Sequence, residues 1–320
     1  MRREWSVAIA IAALGAVLAA RAPSYFSIEN LRDLFLVNMP VLVVAIGAML
    51  IMLTGEIDIS VGSAFAVCSV AAGVAATSGT STAVAAAAAC GIGAAIGAIN
   101  GALVAYGRIP SIVVTLAAMV ALRDGLRWIT QGAWIENLPA RFQWLGVSQA
   151  AFPLVAAAVV AVLVGATALV LRYVAAGRAV FATGSNTEAA RLSGIDTAAV
   201  KLTVFVIGGI LTGVAAILNS VRFNQIPSNT GLGLEMKVIA AVVVGGTAVT
   251  GGSGTMTGTL LGVVLLGAVG PALTFLGVSA QWERALQGVI ILAAVAIDAA
   301  RLPRGARVAR AMRTGAAAGV

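Results

Sequence analysis

The strongest constraint on this chain is a succession of nearly charge-free apolar runs, each close to the roughly 20 residues that a helix needs to cross a bilayer. They fall near residues 5–22, 38–54, 61–77, 82–105, 109–130, 151–172, 201–220, 235–250, 257–276 and 284–300. The runs are continuous. A barrel strand needs apolar and polar residues in alternation, so helices are the reading that satisfies every backbone group inside lipid. Only 10% of the residues are charged, against about 25% in a soluble domain. The chain is therefore expected to be an all-α integral membrane protein of about ten transmembrane helices. Its 37 glycines fit that plan, because small residues let helices approach closely in lipid.

The net charge of +8 does not point to nucleic acid. Arg301, Arg304, Arg307, Arg310 and Arg313 form a basic tail beyond the last apolar run, as expected of a cytoplasmic segment against anionic headgroups. An even number of spans puts both termini on one side. With both cytoplasmic, twelve of the 20 Lys/Arg lie inside or at inner ends. Met1-Arg2-Arg3 and the run ending at Ala20-Arg21-Ala22 have the look of a secretory signal, but the length of the run and the spans behind it favour a retained first helix. Cys68 and Cys90 both lie inside apolar runs and read as small buried hydrophobes, not a disulfide framework. There is no histidine, which argues against a metal site and a histidine-based proton relay.

One short polar run interrupts this apolar background: Leu53-Thr54-Gly55-Glu56-Ile57-Asp58-Ile59-Ser60-Val61-Gly62-Ser63. Ionisable groups at such a junction face a protein interior or a watery path, unless the run is a plain loop at headgroup depth. Gly55, Glu56, Asp58, Ser60 and Gly62 are the candidate residues. Asp58 is either an acceptor on a substrate path or a cap on the positive end of the next helix. Asn100, inside an apolar span, is either hydrogen-bonding glue between helices or a ligand contact. Arg123-Asp124 either neutralises itself or lets Arg123 snorkel outward. Val244–Gly254 holds too many glycines for a helix interior, so the chain is expected to turn or break there. It lacks the lysine and preceding strand of a phosphate-binding loop.

Two polar connections stand out. Tyr173–Val200 is the longest, and within it Thr187–Leu192 reads as a short helix with Asn186 as N-cap and Gly194 as stop. It is either a docking element or an amphipathic connector. On the opposite face Gln131–Ala150 carries Trp134, Glu136, Arg141, Phe142 and Trp144, a mixture suited to headgroup depth. Ten spans divide into two halves of five with inverted topology. Thr54-Gly55-Glu56 and Thr230-Gly231-Leu232-Gly233-Leu234-Glu235 are a faint internal echo of that plan.

Taken together, these stretches resemble the membrane permease subunit of ATP-binding-cassette importers for monosaccharides, the ribose/arabinose/xylose/galactose-type family. The resemblance runs from about Phe26 to Asp298 and rests on four motifs in order: Leu53–Ser63; Asn100-Gly101 through Ile109-Pro110 to Val114-Thr115-Leu116; Gly184–Ile195; and Gly231–Gly262. It implies a single transmembrane permease domain over 1–320, membrane-spanning over 5–300, with a cytoplasmic coupling loop at 173–200 and a basic tail at 301–320. It implies a multi-pass protein of the bacterial inner membrane with both termini cytoplasmic, and a transport subunit that is not itself an enzyme. No cofactor is expected on this chain; ATP and magnesium belong to a partner ATPase subunit. The other implied partners are a periplasmic sugar-binding protein, a second permease subunit (identical or paralogous) and membrane lipid. Gly55, Glu56, Asp58, Ser60, Gly62 and Asn100 become pathway candidates. Glu188, Ala189, Ala190, Arg191, Leu192, Gly194 and Ile195 become the element that docks on the ATPase.

Two departures mark a subgroup: Glu56 where the family usually has glycine, and Lys237 where an acidic residue is common. The run Gly55–Val70, with Ala64-Phe65-Ala66-Val67-Cys68, looks most like permeases for L-rhamnose, with ribose and autoinducer 2 next. The competing expectation is an ion-coupled secondary sugar transporter using Glu56 or Asp58. A membrane-embedded enzyme would need a nucleophile–base pair or a metal set, and the sequence has neither pattern.

Overall fold

The computed structural model describes residues 3–279, 281–283, 285–289 and 292. Helix α1 spans Arg3–Arg21 and α2 spans Ile28–Leu53. From Met39 onward the second is apolar on every side and accordingly enclosed: every residue from Met39 to Thr54 is buried. Around it pack α6 (Phe152–Tyr173), α9 (Thr197–Ser220), α10 (Leu234–Val244) and α11 (Met256–Phe275). Helix α1 lies against α11, and Thr255 Oγ1 donates to Glu4 Oε1 at 2.6 Å to tie their starts together.

Helices α3 (Val61–Thr77), α4 (Thr82–Ala105) and α5 (Ser111–Thr130) follow the polar junction. The tightest pairing in the molecule is α4 along α9. Their backbones touch through glycine: a Cβ on Gly97 would strike the Phe205 carbonyl oxygen, and one on Gly209 would strike that of Gly93. Without those methyl groups the two helices gain close van der Waals contact, the main attraction open to helices in lipid.

Among the described residues, six helices are long and apolar enough to cross a bilayer: α1, α2, α4, α6, α9 and α11. Helix α3 is 17 residues long, and α5 has 20 residues but carries Arg123, Asp124 and Arg127. The expected span 235–250 is a half-length helix of 11 residues, about 16 Å. It stops where Gly245-Gly246 lets the chain turn, Gly246 taking a φ of +96°. The second helix starts at Ile28 rather than 38, because Ser27 Oγ accepts the Asn30 N–H at 3.3 Å and caps it there. The tenth expected span (284–300) lies outside the described residues apart from the helical positions 285–289 and 292, and the 301–320 tail lies wholly outside them.

After α6 the chain forms α7 (Ala175–Ser185) and α8 (Thr187–Leu192) before entering α9. At the other end of α6, residues 131–151 fold back on the protein. An isolated antiparallel bridge pairs Ile135 with Ile226, Leu138 and Phe142 are buried, and Trp144 meets Phe152 edge-on at 5.4 Å. Trp134 stays exposed.

Candidate functional site

The polar junction is clamped by its own side chains. Thr54 Oγ1 donates to the Ile51 carbonyl at 2.7 Å, and Gly55 turns the chain out of α2 with a φ of +84°. Lys201 Nζ of α9 then reaches Glu56 Oε1 at 2.5 Å, an ion pair with both side chains largely enclosed. The Ile57 N–H donates to Ser111 Oγ at 3.2 Å, and Thr115 Oγ1 donates to the Ile57 carbonyl at 3.3 Å, binding the loop to α5.

Asp58 Oδ1 accepts both the backbone N–H of Ser60, at 2.8 Å, and its hydroxyl, at 2.6 Å. The carboxylate thus sits at the N-terminus of α3, where the helix dipole favours negative charge. Asn100 Nδ2, buried on α4, donates to Ser60 Oγ at 3.0 Å. Asn100, Ser60 and Asp58 form one directed chain that satisfies a buried amide and a buried hydroxyl. At Gly62 the start of α3 presses on the stretch before α10: a Cβ there would lie 2.6 Å from the Gly231 carbonyl and collide with Glu235 Oε2. The structure thus brings together the sequence-expected Asp58, Ser60 and Asn100, and sets Glu56 apart, paired with Lys201 of α9.

Three glycine-bearing segments meet beside this loop. The Gly252 N–H donates to the Leu53 carbonyl at 2.9 Å. Gly184, at the end of α7, leaves no room for a Cβ: it would strike the Leu53 oxygen and lie 2.6 Å from the Gly252 nitrogen. Gly251, with a φ of +85°, packs on Gly55 from the other side. Main chain from α7, from the junction after α2 and from the turn after α10 therefore touch directly.

Helix α8 projects from this knot. Asn186 Oδ1 accepts the Ala189 N–H at 3.0 Å as N-cap, and Gly194 ends the turn with a φ of +84°. Arg191 and Glu188 form an i,i+3 pair at 2.7 Å, 66% and 65% exposed. The Glu188 carboxylate holds the Arg191 guanidinium above its ordinary pKa through the hydrogen bond and its charge. Leu192 is 78% exposed, Ala189 and Gly194 are exposed and Ile195 is half-buried. Ala190 turns inward and is buried, so it is not part of the outward face.

A second polar cluster escaped the sequence-based site assignment. Arg123 Nη1 donates to the Thr230 carbonyl at 3.0 Å, fixing the stretch before α10 instead of pairing off with Asp124 or snorkelling. Lys237 on α10 faces Glu283 at 3.9 Å, and Gln287 Nε2 donates to the same carboxylate at 3.0 Å. The usable signal was the i,i+4 spacing of Glu283 and Gln287 at the head of an apolar run.

A family model described as branched-chain amino acid transport system / permease component matches residues 30–295. The chain is 37% identical over 298 residues to the autoinducer 2 import system permease protein LsrC of Enterobacter sp. (strain 638), covering 92% of this chain and 86% of the relative. It is 36% identical over 296 residues to the protein of that name from Yersinia enterocolitica, covering 92% and 82%. The Photorhabdus luminescens protein of that name is 35% identical over 302 residues, covering 92% and 89%. No solved structure matches the chain at a significant level.

Proposed function

This chain belongs to the permease-component family of branched-chain amino acid transport systems, and from that membership we propose that it is the membrane-spanning subunit of an ATP-binding-cassette importer for a small sugar-like molecule. The observation that carries the reading is the near full-length match, over residues 30–295 for the family and 92% of the chain for each relative described above. Those relatives are permeases named for autoinducer 2 import, which moves that molecule ahead of L-rhamnose as first candidate; neither L-rhamnose nor ribose has support among them.

In this reading the chain is a passive two-state gate in the bacterial inner membrane. ATP and magnesium act on a partner ATPase, a periplasmic binding protein delivers the ligand, and a second permease subunit completes the pathway. Helix α8 is the docking element: Glu188, Arg191 and Leu192 are presented outward and held by the Asn186 cap and the Gly194 stop. A push on α8 reaches Gly184 within a few residues, and from there the Leu53–Gly55 and Gly251–Gly252 backbones. The junction from Gly55 to Gly62, with Asn100, is then the inner end of the pathway, which shifts as one body because Asp58, Ser60 and Asn100 are hydrogen-bonded in series. The ion-coupled alternative asks for Glu56 or Asp58 to be free to bind a proton or sodium. Glu56 is paired with Lys201 and Asp58 is occupied by Ser60.

The test is uptake into proteoliposomes holding the chain, its ATPase and the loaded binding protein. Uptake that needs ATP and survives an uncoupler is the expected result. Uphill uptake by the chain alone, driven by an ion gradient, overturns the reading.

A further inference from the structure

Helix α10 begins part-way along its neighbour. It runs antiparallel to α11, with Gly245 against Gly258 and Ala241 against Gly262. Carried on, that register sets Lys237 beside Leu266, about 15 Å along α11 at 1.5 Å per residue. Glu283 abuts Gly270, about 21 Å along the same helix. Lys237 therefore lies near mid-depth of a helix long enough to cross the bilayer, and the start of α10 and Glu283 lie about two-thirds of the way along it. Here the chain forms an open cavity of about 1110 Å³, lined by Leu232–Lys237 on one wall and by Gln281, Glu283, Gln287 and Gly288 on the other.

Its chemistry is specific. Glu235 and Glu283 accept hydrogen bonds; Lys237 donates; Gln281 and Gln287 do both. A hydroxyl group donates and accepts, so a row of hydroxyls matches this mixture. Lys237 and Glu283 stand 3.9 Å apart, beyond direct hydrogen-bond range, which leaves room for a ligand oxygen to bridge them. Glu235 Oε2 is buried without a hydrogen-bond partner, closed off against Gly62, so Glu283 is the accessible carboxylate. Lys237 faces Glu283 and Arg123 acts electrostatically on Glu235, so positive and negative charges balance around the cavity and an uncharged ligand meets no net field. Leu232, Leu234 and Met236 supply an apolar wall for the C–H face of a ring. The volume is of the order of small-molecule sites, and a site at a half-helix start within the bilayer is a frequent transporter arrangement.

We propose that this cavity is a resting site for the transported molecule and that it takes an uncharged polyhydroxylated ligand, held through Lys237, Glu283 and Gln287. The inference rests on the permease reading but can fail separately from it. Trp282, exposed between two lining residues, is a built-in reporter. In the purified permease–ATPase complex, without binding protein, autoinducer 2, L-rhamnose and D-ribose are titrated against tryptophan emission, with gluconate and glucosamine as charged controls and W282F as blank. The expected result is a saturable, Trp282-dependent change with at least one neutral compound and none with the charged ones. K237Q and E283Q should each weaken it about tenfold, roughly a 1.4 kcal/mol difference. Should either fail to fold, G288L serves: a Cβ at Gly288 meets open space, so leucine fills the cavity without a local clash and should abolish the signal. A neutral-ligand signal that K237Q, E283Q and G288L leave unchanged overturns the proposal. So does equal binding of the charged compounds, or no saturable signal in a complex that performs ATP-driven uptake, which leaves the permease reading standing. Loss of ATP-driven uptake in the unmodified complex removes the reading itself.

Discussion

Glu56 and Asp58 are two residues apart and do different work. Glu56 is an ion-pair partner across to α9, whereas Asp58 organises the first turn of α3. A double-mutant cycle on E56Q and K201M should return a coupling of about 1–2 kcal/mol, in the range of contacting residues, read as shifts in a chemical unfolding midpoint. A coupling near zero would make the pair incidental. The Asn100–Ser60–Asp58 chain makes a sharper statement. Asn100→Leu removes a donor but leaves Ser60 bonded to Asp58, so it should cost only about 1–2 kcal/mol, the scale model peptides give for a hydrogen bond between helices in lipid, and lower uptake in part by freeing α4 from the junction. Asp58→Ala removes the acceptor on which the Ser60 hydroxyl and backbone both depend, so it should impair uptake severely while ATPase binding persists. Detachment of the ATPase in that variant would instead make Asp58 a purely structural residue.

Helices meet in this protein largely through the absence of side chains, and that governs what could be read beforehand. The bounds of α3 and α4 follow from charge-free runs ended by polar and glycine residues, those of the charged α8 from its cap and stop, and all three were legible from the sequence. Asn186 and Gly194 announced α8 through their own chemistry. The glycines of Val244–Gly254 announced the break at which α10 ends, although the expected span ran on to residue 250; the packing of Gly245 on Gly258 that fixes the turn left no mark in the sequence. Nor did the knot of Gly184, Gly251 and Leu53, since backbone contact between distant segments leaves no pattern along the chain. The α4–α9 contact yields a prediction: Gly97→Val drives a branched side chain into the Phe205 carbonyl and should destabilise by about 1–3 kcal/mol or more, the scale of overpacking. A fall in the thermal midpoint of the purified chain checks it, and an unchanged midpoint would mean the helices can separate. Helix α8 carries the opposite expectation. Glu188 and Arg191 are two-thirds exposed, and exposed pairs contribute little to stability. The E188A/R191A variant should therefore fold and insert normally yet lose ATP-driven uptake; wild-type uptake in it would remove the docking role.

Seen as a whole, the molecule has a polar element at each end of α6, and a transport cycle needs them on opposite sides of the membrane. Helix α6 has 22 residues with its single charge, Arg172, in the last turn, so it reaches about 33 Å and spans the hydrocarbon core of a typical bilayer. One end meets the Leu138–Trp144 stretch, where the half-buried Trp144 suits headgroup depth. The other meets α7 and α8, flanked by Arg172, Arg178, Arg191 and Lys201, the kind of cluster that is retained inside. An ATPase can reach α8 only from the cytoplasm, so sidedness and function stand or fall together. The natural cysteines do not obscure a test: in a C68A/C90A background, single cysteines at the exposed Ser148 and Ser193 report the two ends. A membrane-impermeant maleimide should label S193C only in inverted vesicles and S148C only in intact spheroplasts. Labelling of both from one side would mean that α6 does not cross. Labelling in the reverse sense would put α8 in the periplasm, out of reach of any nucleotide-hydrolysing partner.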